Sequence, residues 1–299
     1  MKKPCPNSLC YFYYQKTAVI HDGNFKRNCD SRIIRRFKCK NCGKRFSTET
    51  FKLEYYQKKR RINGQLLKLL SSGVSLRRSA ILLNTSRRTI EKKLHYLGKK
   101  CRFKNKNFGR RFTKDRVRSI QIDDLITKEN SKLKPLSVSI AVDEGSRRVL
   151  GAEVSQIPAF GHLTKVAIKK YGIRPCKHQD GLNRLCENIS HYTHESVVIT
   201  SDEHKKYLGT FKRYFPRGSY LQYKSERACV AGQGELKKVN FDPLFLVNHT
   251  CAMFRANINR LIRKTWCTTK SIERLKDHID IFIHYHNTQL IRSRTTPFK

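Results

Sequence analysis

At 299 residues the chain is long enough for two or three modules, one of them with a sizeable core. It carries 64 Lys+Arg against 23 Asp+Glu, a formal charge of +41, and a surplus of that size calls for a polyanionic partner, nucleic acid before a membrane surface. No run of about 18 apolar residues occurs, and Met1-Lys2-Lys3-Pro4-Cys5 lacks the apolar stretch of a secretory signal; the expectation is a cytoplasmic protein acting at the nucleoid or nucleus, without a membrane partner.

Five of the eleven cysteines (Cys5, Cys10, Cys29, Cys39, Cys42) fall within the first 42 residues. In a reducing compartment such a cluster favours metal over disulfides. Cys39-Lys40-Asn41-Cys42-Gly43-Lys44-Arg45-Phe46 has the spacing of a zinc knuckle, with Gly43 permitting the tight turn whose amides face the thiolates. Cys5 and Cys10, with four residues between them, supply the other pair, with Cys29 or His21 as substitutes. The expected site is a structural Zn²⁺ on Cys5, Cys10, Cys39 and Cys42, in a zinc ribbon spanning residues 1–50 whose polar sequence needs the metal to fold. Lys26, Arg27, Arg32, Arg35 and Arg36 are expected to face phosphate. Cys101, Cys176, Cys186, Cys229, Cys251 and Cys267 stand singly and read as small buried hydrophobes.

Residues 51–100 change to a helical period. Ile62, Leu66, Leu67, Leu69 and Leu70 give one amphipathic helix stopped by Gly73, and Ser75 caps a second with Leu76, Ala80, Ile81 and Leu82 on its apolar side. Thr85-Ser86 caps a third, with Ile90, Leu94 and Leu97 facing inward and Arg87, Arg88, Thr89, Glu91, Lys92, Lys93 and His95 outward. Three short helices ending in a basic one match the helix-turn-helix plan, in which Arg87, Arg88 and Thr89, with Lys92 beside them, would meet double-stranded DNA. Residues 101–116, with Arg102, Lys104, Lys106, Arg110, Arg111, Lys114 and Arg116, read as a basic linker tracking the phosphate backbone.

Ser119-Ile120-Gln121-Ile122-Asp123-Asp124-Leu125 reads as a buried strand ending in a carboxylate pair, and Ser196-Val197-Val198-Ile199-Thr200-Ser201-Asp202 as a second strand ending in an acid. Between them the pattern predicts strands at 136–142 and 148–154 joined by the turn Asp143-Glu144-Gly145-Ser146, then helices at 162–171 and 179–191. A helix at 203–214, a strand at 220–223 and helices at 250–265 and 271–286 complete the series. Phe282, His284, Tyr285 and His286 suit a core-facing aromatic helix. Carboxylates converging at strand ends can hold Mg²⁺, which points to phosphoryl transfer on nucleic acid.

In this order the segments resemble the transposases of short bacterial insertion sequences: a zinc ribbon, a helix-turn-helix, and an RNase H-like domain with three acidic metal ligands, here residues 117–299. Gln121-Ile122-Asp123-Asp124-Leu125 resembles the family's first acid, Ser201-Asp202-Glu203-His204-Lys205-Lys206-Tyr207 its second, and Arg260-Leu261-Ile262-Arg263-Lys264-Thr265 with Lys270-Ser271 the basic tail after its third. The resemblance implies an α+β multidomain fold and an enzyme that binds insertion-sequence ends, cleaves DNA and transfers the strand. It also favours Asp123 over Asp124 as the ligand. Counting seven residues back from Arg255 places Asn248 where the third acid belongs, so the implied catalytic set is Asp123, Asp202 and Asn248 around Mg²⁺ or Mn²⁺, with Glu235, Asp242 and Glu273 as substitutes for Asn248. Such a set holds two ions about 3.5–4 Å apart, one activating water and then a 3′-hydroxyl, the other stabilising the leaving oxygen. His204, Lys205 and His249 lie beside the acids, and Arg255, Arg260, Arg263, Lys264 and Lys270 are expected to stripe one DNA-facing helix; Arg255, Arg263 and Lys264 are its chosen contacts. Pairing two DNA ends implies a homodimer or larger. The rival expectations are a transposase-derived DNA-binding regulator that has lost catalysis, and a nuclease or RNA-binding protein.

Overall fold

Leu136, Val138, Ile140 and Val142 alternate with Ser137, Ser139 and Ala141, so one face of this strand is large and apolar while the other is small. In the computed structural model, which describes residues 3–28, 30–55, 57–109, 116–224, 242–263 and 266–291, that strand is the second member of a five-stranded mixed sheet. The protein is α+β, and its contacts divide it into a unit ending at Gly64 and a unit beginning at Gln65.

The first unit is built on a three-stranded antiparallel sheet of β1 (Val19–Lys26), β2 (Ile33–Cys39) and β3 (Arg45–Ser47). Its core is small: Val19, Phe37 and Phe46 with Cys5, Cys10 and Cys39. Glu49 is buried and accepts from Arg27, Lys52 and Arg60. Burial works to raise its carboxyl, but those cations outweigh it and hold it at about 2. Arg27, expected to face phosphate, is therefore committed to Glu49 and Asp30.

The second unit opens with α1 (Asn63–Leu70), α2 (Leu76–Leu82) and α3 (Arg87–Gly109). The expected caps are present: Ser75 accepts the Arg78 amide and Ser86 the Thr89 amide, each at 3.2 Å. Gly73 ends the first helix at φ +73°. Leu66, Leu70, Ala80, Ile90, Leu94 and Leu97 form the shared core as predicted, whereas Ile81 and Leu82 are exposed and Lys93 is buried.

Helix α3 departs most from expectation. It spans 23 residues and continues through Cys101 to Gly109, so most of the stretch read as a linker is helix. The reason lies across the interface with the helix at 272–285: Arg102 bonds Asp280 at 2.7 Å and approaches Asp277 at 3.4 Å, and His95 meets Asp277 at 2.9 Å. Arg102 is thus paired with Asp277 and Asp280, while Lys104 and Lys106 of the same stretch are exposed. The helices pass so closely that a Cβ on Gly98 would lie 2.5 Å from the Asp277 Cβ. Arg110, Arg111 and Lys114 lie outside the described residues.

The sheet has the order β6-β5-β4-β7-β8, with β4 (Val117–Glu129), β5 (Ser131–Asp143) and β6 (Val149–Gln156) antiparallel, and β7 (Thr193–Asp202) and β8 (Ser219–Tyr223) parallel to β4. The turn at Asp143–Ser146 forms as predicted, closed by the Asp143 amide on the Arg148 carbonyl at 2.9 Å. Helices α4 (Leu163–Tyr171), α5 (His178–Ser190) and α6 (Tyr207–Tyr214) are followed by α7 (Phe245–Asn257) and α8 (Ile272–Tyr285). One face of the sheet, through Leu125, Leu136, Val138, Ile140 and Val142, packs on α7 and α8; the other, through Ile120, Ile122 and Ala141, packs on α5 and α6. Each fully buried Leu, Ile, Val or Phe stabilises by about 1.5–3 kcal/mol, so these two clusters dominate the stability of the unit.

Cys101, Cys186 and Cys251 are buried as expected of small hydrophobes, but Cys176 and Cys267 are exposed; Cys229 lies outside the described residues. Of the four aromatic side chains expected to face the core, Phe282 and His286 are buried, whereas His284 and Tyr285 are only half-buried. Among the described residues no helix is long and apolar enough to cross a membrane.

Candidate functional site

In the first unit, Cys5 and Cys10 precede β1, Cys39 ends β2, and Cys42 lies in the turn to β3. Sulfur separations are 3.7 Å for Cys5–Cys42 and 3.8 Å for Cys10–Cys39, and all four lie within 4.8 Å of one another. Four thiolates about 2.3 Å from a zinc ion stand about 3.8 Å apart, so the spacing fits a tetrahedral ZnS₄ site. The Lys44 backbone amide draws the Cys42 thiol down to about 6, while burial pushes Cys5 up to about 12. Asn41 reaches Cys10 Sγ at 3.4 Å, an outer contact of the kind that orients a ligand. This cluster can hold zinc. His21 is not part of it: its ring faces Asn24 and Phe37. Cys29 lies outside the described residues.

The second site begins at Asp123. The strand does not end there, as the sequence suggested; β4 runs on to Glu129 because β5 pairs with it all the way. What stops at this point is the pairing with β7, whose last β4 partners are Ile122 and Ser201. Asp202, the last residue of β7, thus falls at the register of Asp123, and paired positions of neighbouring strands share a face.

That face is the one covered by α7. Gln121, two residues before Asp123 and 3% exposed, bonds the Pro243 carbonyl at 2.9 Å and accepts the Val247 amide at 3.0 Å. Asn248 follows, in the first turn of α7, and donates its amide to Asp242 at 3.0 Å. Arg255, seven residues on and so on the same helical face, is half-buried and lies within electrostatic reach of Asp123. Burial, then the charges of Asp202 and Asp124, push the Asp123 carboxyl up to about 7. Asp202 is raised by burial first, against the backbone amide of His204, which its carboxylate accepts at 3.3 Å. A half-buried pair of carboxylates, in which the charge of Asp202 opposes ionisation of Asp123, is a donor set that fits a hard divalent cation.

Asp124 faces the other way. Its carboxylate accepts from Ser139 at 2.5 Å and meets His178 Nε2, at the first residue of α5, at 2.5 Å. His204 stacks on His178 with ring centroids 4.9 Å apart, and Asp124, His178 and His204 each bring a ligand atom within 4.8 Å of the others. Burial, then the charge of His178, lowers the His204 pKa. The sequence had offered Asp124 only as the competitor of Asp123 and had not singled out His178 at all.

The other candidates divide. Arg87, Arg88 and Lys92 are exposed at the start of α3, Arg87 paired to Glu91 at 2.9 Å, while Thr89 is half-buried with its hydroxyl 2.9 Å from that of Ser86. The basic stripe is not one helix: α7 ends at Asn257, Arg260 lies in the 3-10 turn Asn259–Leu261, and Arg263 is exposed beyond it. Glu273 is exposed beside Arg274, and His249 stacks on Phe245. Lys264 and Glu235 lie outside the described residues. No protein-family model matches this chain, and no curated protein matches it.

Proposed function

We propose that the protein is a DNA transposase of the insertion-sequence type, with a zinc-stabilised ribbon, a helix-turn-helix at α1–α3 and an RNase H-like catalytic sheet. The observation that carries this reading is the register of β4 and β7, which sets Asp123 and Asp202 side by side on one face beneath α7. Three antiparallel strands followed by two parallel ones, with acids on the central strand and its parallel neighbour, also suit an RNase H-like arrangement.

Asp123, Asp202 and the Asn248 amide oxygen would hold Mg²⁺ or Mn²⁺. Asn248 donates its NH₂ to Asp242, which turns the oxygen to the opposite side. A divalent cation bound by these residues would supply Lewis-acid activation of an attacking oxygen and stabilisation of the leaving one. The chain supplies the rest: Gln121 holds the first turn of α7 against β4, and Arg255 sets a positive charge beside the carboxylates where a phosphate would lie. The exposed Arg87, Arg88 and Lys92 are suited to meet a duplex, and Arg263 to contact phosphate. The net charge of +41 supports double-stranded DNA as the partner and a place at the nucleoid, and joining two ends calls for a dimer or larger.

Joining of a labelled element end in Mg²⁺ or Mn²⁺ tests the reading, comparing the unmodified protein with Asp123→Ala, Asp202→Ala and Asn248→Glu. Loss of joining in both alanine variants, with joining preserved in Asn248→Glu, supports it. The second reading, a DNA-binding protein without catalysis, is favoured by the neutral side chain at Asn248; it stands if only Asn248→Glu joins DNA.

A further inference from the structure

We propose that Asp124, His178 and His204 form a binding site for a transition-metal dication of the zinc, cobalt or manganese class, separate from the Asp123–Asp202 pair. The three residues come from three elements: β4, the start of α5, and the segment joining β7 to α6. Each brings one ligand atom within 4.8 Å of the other two. His178 is 3% exposed, and its Nε2 sits 2.5 Å from Asp124 Oδ2, so a cation would take the place of the proton they share. Ser139 holds the other carboxylate oxygen and fixes the orientation of the group, as outer partners do at metal sites.

A second observation points into the same place. Tyr207 is fully buried with its hydroxyl turned toward the Asp124 carboxylate, yet it makes no well-formed hydrogen bond there; the rings of His204 and His178 lie 5.0 and 6.4 Å from its own. Buried hydroxyls are almost always satisfied. Three protein ligands leave a coordination position for water, and a bound water beside Tyr207 would give this hydroxyl its partner.

The donor set chooses the metal. Two imidazoles and one carboxylate suit borderline transition ions, whereas Mg²⁺ prefers oxygen donors alone. Successive side chains leave a strand on opposite faces, so this site and the Asp123 site lie on opposite sides of the sheet. The inference does not rest on the transposase reading. A cation here would clip α5 and the β7–α6 corner to the central strand.

The test is titration of the full-length zinc-loaded protein with Co²⁺, without DNA or Mg²⁺, read by visible absorption and by melting temperature. Expected is an equivalent of Co²⁺ per chain with nitrogen and oxygen ligand bands, no thiolate charge-transfer band, and a rise in melting temperature. Asp123→Asn should keep this equivalent. His204→Gln, at a half-exposed position, should weaken it by about 10-fold or more, and His178→Gln likewise. X-ray absorption at the cobalt edge of the unmodified protein should show imidazole scattering, a readout that does not depend on any variant folding. The proposal is overturned if no Co²⁺ binds outside the thiolate site, if the equivalent is lost in Asp123→Asn but kept in His204→Gln, or if cobalt sees oxygen ligands alone.

Discussion

Gln121 Oε1 accepts the backbone amide of Val247 at 3.0 Å, while its Nε2 donates to the Pro243 carbonyl and to Glu144. One buried side chain on the central strand thereby fixes the start of α7, and with it Asn248. Gln121→Leu keeps the volume but orphans these partners. It is expected to destabilise the second unit by about 1–3 kcal/mol, measured by denaturant unfolding. DNA joining is expected to fall further than the lost stability accounts for; equal losses would make Gln121 a purely structural residue.

Asp123 predicts a pH dependence. Its carboxyl is raised to about 7 by burial and by the Asp202 and Asp124 charges, so the folded state holds that proton more tightly than the unfolded chain. The resulting stability is fully present below the unfolded value of 3.8 and is lost as pH rises through 7. A divalent cation must displace the same proton. Stabilisation by Mg²⁺ or Mn²⁺ in thermal melts is therefore expected to be larger at pH 8 than at pH 6, with affinity falling by about tenfold per pH unit below 7. Asp123→Asn should flatten both dependences.

Zinc removal should act on one unit alone. The core of residues 3–64 is little more than Val19, Phe37 and Phe46 around the four cysteines, too small to hold the β1–β3 sheet without the cross-link. Chelation, or Cys39→Ser, is expected to abolish the amide dispersion of this unit in an NMR spectrum while the melting transition of the second unit stays within about 2 °C. A common shift of both would refute the assignment.

Arg88 and Arg102 lie on the same helix and should behave oppositely. Arg88 is exposed in the first turn of α3, whereas Arg102 is bound to Asp277 and Asp280. Arg88→Ala is expected to weaken DNA binding and to lower the slope of log K against log salt by about 1. Arg102→Met should leave that slope unchanged and instead destabilise the fold, because it strands the acids beneath it.

How much of this was legible varied with the range of the forces involved. The sheet could be read from local pattern: the alternation of Leu136, Val138, Ile140 and Val142 and the turn at Asp143–Ser146 need only neighbours in sequence. The end of β4 could not, because an acidic pair resembles a terminus until β5 is seen to pair past it to Glu129. The second half of α3 was misread for a similar reason. Its lysines and arginines look like a solvated tether, and only the buried Asp277 and the close pass at Gly98 make that segment a packed helix. His178 and His204 belong to no local motif; the folding of α5 and α6 onto β4 brings them to Asp124.

Helix α3 runs unbroken for 23 residues, about 34 Å, from the exposed arginines at its start to the half seated on α8. Under the proposed function, the end that meets the duplex and the sheet that carries the acids belong to one rigid gauge rather than to two tethered parts. The interval between recognised bases and severed phosphodiester is then set by the protein and not by the DNA. Inserting one base pair between them advances the duplex by about 3.4 Å. The break should stay at its measured interval from the recognised bases and so fall one nucleotide away from its former place in the sequence.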